Sequence, residues 1–213
     1  CWRYDMKEKK GLLDGLFPPR YDLNAMLVHQ AEMTAEGVGL LRAAMQGERD
    51  HHLSSLTDLD RRTDVFRHDM ERKLGEAFST PFDRQDMYTM SRQLETVLNF
   101  ARTTLLEMDA FGVEPDRCML DMAEHLLIGT REVVEGVKAL GKGLERTDSL
   151  IERMREEENS IEETYVLGMK EVFLLPDHMM VLKKREIYHH LKDAGRALSA
   201  TADILHRAAF GMG

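Results

Sequence analysis

The stretch TPFDRQDMYTMSRQLETVLNFARTTLLEM, Thr80 to Met108, decides the fold class. Thr80 reads as a helix cap, Pro81 as the first helical residue and Asp83 as the acid of a capping box. Behind them Met87, Met90, Leu94, Val97/Leu98, Ala101, Leu105 and Met108 recur at steps of three and four, the period of one helical face. Gly112 and Pro115 close the segment.

The same pattern continues on both sides. Upstream, Asp22 to Gln46 carries Met26, His29/Gln30, Met33, Gly37, Leu40/Leu41 and Ala44, and Asp50 to Phe78 carries Leu56, Leu59, Thr63, Phe66, Met70 and Leu74. Downstream, Asp116 opens a helix whose stripe runs from Met119/Leu120 to Leu140, closed by Gly141 and Gly143. A fifth helix is expected over Arg146 to Leu175. A sixth, capped by Asp177 after Pro176, is expected over His178 to Phe210. The sum is an all-α, elongated bundle of about six long helices. It divides into two three-helix halves, 22–112 and 116–213, behind an N-terminal leader over 1–21 that ends at Pro18-Pro19.

Composition agrees. Charged residues make up 31% of the 213, above the roughly 25% of an average globular protein, and aromatics only 7%. A net charge of -9 disfavours nucleic acid as a partner and disfavours an anion site without local positive charge. No apolar run reaches the ~18 residues of a membrane span. Two cysteines, Cys1 and Cys118, make neither a disulfide framework nor a zinc site, so the expected compartment is the cytoplasm. Cys118 lies at a helix start with no histidine partner identifiable by spacing, and reads as a packed residue.

The second helix sets Asp60, Asp64 and His68 four apart, with Glu71 three further on, all on one face. Carboxylates plus an imidazole suit iron, manganese or zinc. The row also reads as a solvated charged face among Arg61, Arg62, Arg67 and Arg72. Asp121/His125, Glu186/His190, Glu32/Glu36 and Glu158/Glu162 repeat the spacing and, taken alone, read as surface. Glu-x-x-His occurs as Glu48/His51 and Glu186/His189, which raises a di-iron, ferritin-like oxidase or storage bundle as an alternative function. A metal-free helical adaptor is the third reading.

The run Phe78-Ser79-Thr80-Pro81-Phe82-Asp83-Arg84-Gln85-Asp86-Met87 resembles the "F-I-T-P-F-D-R-E-D-I" signature of the divergent PhoU-like family. Gly15-Leu16-Phe17-Pro18, Gln30-Ala31-Glu32, Leu94-Glu95 and Glu186-Ile187-Tyr188 fall into step with further family motifs, so the likeness extends from Gly15 to Phe210. It implies two three-helix bundles and a non-enzymatic regulator or accessory of phosphate transport. The implied partner is a Pit-type phosphate permease, met peripherally at the inner face of the cell membrane, and homo-oligomers are among the assemblies implied. The family's acid-x-x-x-Asp metal motifs fall on Asp60/Asp64 and on Glu158/Glu162, with His68 or Asp86 assisting the first. Iron, zinc, nickel or magnesium is the implied ion. The chain departs from the pattern where the middle acid of both motifs is lost and where Gly195 to Ala200 replace acids of the last helix, leaving Asp203 nearby.

Overall fold

A computed structural model describes residues 21–47, 49–140 and 144–211. The expected leader motif at Gly15–Pro18, Glu48 of the Glu48/His51 pair, and the stop at Gly141 and Gly143 lie outside the described residues. Six helices follow one another: α1 (Leu23–Ala44), α2 (Arg49–Glu76), α3 (Arg84–Phe111), α4 (Arg117–Ala139), α5 (Leu144–Val172) and α6 (His178–Gly211). No strand occurs among the described residues.

Short acids start four of the helices. Asp22 accepts the amide of Ala25, Asp116 that of Met119, and Asp177 those of Met179 and Met180. The start of α3 differs from the expectation. Asp83, not Thr80, is the cap and accepts from the amides of Gln85 and Asp86, so Pro81 lies before the helix. The cause is Phe82, which is buried in the bend ahead of the helix, while the Thr80 hydroxyl donates to its carbonyl at 2.6 Å. Arg84 then turns back and donates to the carbonyls of Leu74 and Ala77, satisfying the orphan acceptors at the end of α2. At the far end of α3, Gly112 takes φ 64°, and the Val113 amide reaches back to the Met108 carbonyl at 2.9 Å.

Helix α2 packs on α1 and α3, and α5 packs on α4 and α6. The inner four helices close a ring through α1·α3, α3·α6, α6·α4 and α4·α1. Arg42 pairs with Glu124 and Lys138 with Glu32, so α1 and α4 run antiparallel. The pair Asp86–Arg207 and the bond from Lys183 to the Phe111 carbonyl do the same for α3 and α6. The α2–α3 turn therefore shares one end of the bundle with the end of α6. The α3–α4 joint shares the other with the α5–α6 turn.

The predicted stripe of α3 is buried in full from Met87 to Met108. Buried Leu and Met side chains each contribute about 1.5–3 kcal/mol. The methionines adapt to gaps between crossing helices. One polar pair lies inside this core: Gln30 donates to the Ser91 carbonyl at 2.9 Å, and the Ser91 hydroxyl donates to the Gln30 amide oxygen at 2.7 Å.

Candidate functional site

On α2 the buried residues are Leu56, Leu59, Thr63, Arg67, Met70 and Leu74. Arg67, expected among the solvated charges, occupies the core register, and Phe66, expected on the stripe, is only half-buried against His29. The Arg67 side chain is 6% exposed. Its Nη1 donates to Glu71 at 2.7 Å and its Nη2 to Asp64 at 3.3 Å. Its Nε lies 2.9 Å from Glu95 Oε1 on α3, as an ion pair whose N–H is not aimed for a hydrogen bond. Burial opposes the guanidinium charge, but the bond to Glu71 and the charge of Glu95 outweigh it and raise the pKa of Arg67. The other oxygen of Glu95 receives Arg92 at 2.8 Å. Burial, then a hydrogen bond with Asp64, lift the Glu95 carboxyl above the ordinary carboxylate range against the pull of both arginines.

One turn earlier, Asp60 faces Arg102 of α3 at 3.6 Å. Burial raises the Asp60 carboxyl, Arg102 opposes the rise and Asp64 adds to it. Asp60, Asp64, Arg61 and Arg102 line an open groove of about 800 Å³ between Leu53 and Leu106. His68 is 69% exposed, and its Nε2 lies 3.1 Å from Arg67 Nη2. Asp86 is elsewhere: nine residues before Glu95 on α3, roughly 13 Å along the axis, it binds Arg207 of α6 at 2.8 Å.

In the second half, Glu158 and Glu162 face α6. One oxygen of Glu162 meets Lys192 at 3.4 Å and Arg196 at 3.6 Å. Burial and Glu162 raise the Glu158 carboxyl, with Arg196 and Lys192 opposing. Asp203 is taken by Arg155 at 3.0 Å. No three His, Cys, Asp or Glu side chains converge as a metal cage among the described residues.

The acid-to-histidine spacings do not mark pairs. Asp121 pairs with Arg117, while His125 meets Glu157 of α5 at 2.7 Å. His190 reaches Glu107 of α3 at 3.0 Å. Glu186 is half-exposed beside Arg185, whereas His189 bonds the Tyr165 hydroxyl at 3.1 Å, so the Glu-x-x-His of α6 does not converge. Burial raises the Cys118 thiol, which stays protonated as a packing residue.

Spacing along one helix gave no view of two features. The first is a clasp at the α3–α4 joint, where Asp116 accepts from Tyr188 at 2.6 Å and pairs with Lys184 at 2.8 Å. Burial and then Asp116 push the Tyr188 phenol far above its ordinary value. The second is the bare apolar tip at the α5–α6 turn. Phe173, Leu174, Met179 and Leu182 are exposed there, Leu174 by 79%, with Val166 and Leu167 exposed on the neighbouring length of α5. The signal of this tip was available in the sequence as the run Val172-Phe173-Leu174-Leu175, which spans more than one face.

No family model matches the chain. No curated protein matches it either. Among solved structures it is similar to a PhoU-like protein from Shewanella oneidensis MR-1, with a TM-score of 0.78 and 9% identity over 89% of this chain and 99% of that one. It is also similar to a protein of the same bacterium named a PhoU-like phosphate regulatory protein, with a TM-score of 0.68 and 9% identity over 88% of this chain and 98% of that one. Over nearly nine-tenths of its length the chain thus superposes on these structures: the chain has the PhoU-like fold.

Proposed function

We propose that the chain is a non-enzymatic regulator or accessory of phosphate transport that acts by contact with a Pit-type permease at the inner face of the cell membrane. The observation that carries this reading is the fold, shared over 88% of the chain with a protein named a PhoU-like phosphate regulatory protein. The α5–α6 tip supplies the contact: Phe173, Leu174, Met179 and Leu182 stand exposed at one end of an elongated bundle, where burial against a partner gives about 25 cal/mol per Å² of apolar area. No helix of the described residues is long and apolar enough to cross a membrane.

The test is co-purification of the full chain with the permease from membranes, beside phosphate uptake in cells lacking the chain. Phe173→Asp with Leu174→Asp is expected to abolish co-purification and to reproduce the uptake phenotype of the deletion. Uptake and its regulation that are unchanged by deletion would sink the reading. Unchanged co-purification of the double variant would move the contact away from the tip.

A further inference from the structure

We infer that the acidic rows of α2 and α5 are balanced by cations of this chain and not by a metal ion, with Arg67 as the resident cation of the α2–α3 seam. The inference is independent of the partner proposed above, because it concerns only how the carboxylates are neutralised.

A divalent ion held by protein needs several oxygen or nitrogen donors converging on one point at about 2.0–2.6 Å. The α2 row provides the donors but aims them at a guanidinium. Asp64, Glu71 and Glu95 each contact a different nitrogen of Arg67, at 3.3, 2.7 and 2.9 Å. Three separate nitrogens of a planar fork spread the carboxylates around its edge, whereas a spherical ion needs them drawn to a centre. Both oxygens of Glu95 are occupied, one by Arg67 and one by Arg92. Asp60, the remaining acid of the motif, is turned to Arg102. A metal ion added to this arrangement would sit beside a buried guanidinium that cannot lose its proton, and like charges at that range repel.

The second half reaches the same result with other residues. Glu162 meets both Lys192 and Arg196, and Asp203 is held by Arg155. In both seams the charge balance is covalently part of the chain, and chelators have nothing to remove.

The test uses the full chain purified without chelators and dialysed in turn against Mn²⁺, Zn²⁺ and Fe²⁺, with metal read by elemental analysis and stability by thermal unfolding with and without EDTA. The expected result is substoichiometric metal and a melting midpoint that EDTA does not move. Near-stoichiometric metal that falls in Asp64→Asn overturns the inference. Arg67→Gln supplies the second arm, since it removes the cation of Asp64 and Glu71 and leaves Glu95 with Arg92 alone. This variant is expected to gain a Mn²⁺- or Zn²⁺-dependent rise in melting midpoint, or in refolding yield if it does not fold alone. A variant as stable as the parent without metal, and as indifferent to metal, would show that Arg67 is not the balancing cation.

Discussion

The α2–α3 and α5–α6 seams follow one plan, an outer helix laid on an inner one, and seal it by opposite means. The first buries a guanidinium among three carboxylates. The second sets the Tyr188 ring directly against Gly168, where a Cβ would overlap the ring atoms, and leaves the Glu162–Arg196 pair at the surface. A polar outer helix therefore does not need an apolar face along its whole length, provided its central charge is fully paired. An outer helix with a glycine at the crossing needs no buried charge at all.

The contrast makes graded expectations. The largest effect belongs to Arg67→Met, which keeps the stem but strands Asp64 and Glu71 and leaves Glu95 with Arg92 alone; denaturant unfolding should show a loss of about 3–5 kcal/mol, the cost of breaking a buried ion cluster from one side. A loss under about 1 kcal/mol would mean the cluster behaves as surface. Gly168→Ala should come next, at ~1–3 kcal/mol, because the ring it strikes is tethered to Asp116 and cannot rotate away. Its counterpart Gly129→Ala strikes a Leu198 methyl, the mobile end of a side chain, and should cost less. Tyr188→Phe retains the ring and removes one hydrogen bond, for a loss of about 1 kcal/mol.

The surface charges of the second seam should matter least. Arg196→Ala is expected to change stability by roughly 0–0.5 kcal/mol, since the pair with Glu162 is widely exposed. For Glu158→Gln the sign comes from its raised carboxyl. The ionised form is disfavoured in the folded chain, so the variant should melt slightly higher near neutral pH. The gain should shrink as falling pH protonates the folded Glu158, and vanish below the unfolded carboxylate value of about 4.3. Melting curves from pH 7 to pH 4 check this, and a gain that grows toward acid would reverse the assignment.

Much of this was legible in the sequence. The stripe from Met87 to Met108 and the cap at Asp116 depend on neighbours within a turn, and periodicity reports such neighbours directly. Placing Asp60 and Asp64 on one face of α2 was equally a matter of spacing. What escaped was what faces them, because Glu95 and Arg102 lie on another helix. Arg67 could have been found: Thr63, Arg67, Met70 and Leu74 keep the three-and-four step, but Phe66 beside it is apolar and drew the stripe one residue aside. The start of α3 was set three residues early because Thr-Pro is a strong local signal, and the burial of Phe82 that overrides it is a tertiary event.

The clasp at the α3–α4 joint has a consequence for synthesis on the ribosome. Lys183 holds the end of α3, and Lys184 and Tyr188 hold the start of α4, yet all three belong to α6, which emerges after the other five helices. The face of α3 that α6 covers stays open until α6 has been made. The N-terminal half therefore leaves the exit tunnel before its own boundary is secured, and a nascent chain stalled before α6 should recruit chaperones that a chain with α6 in place does not need.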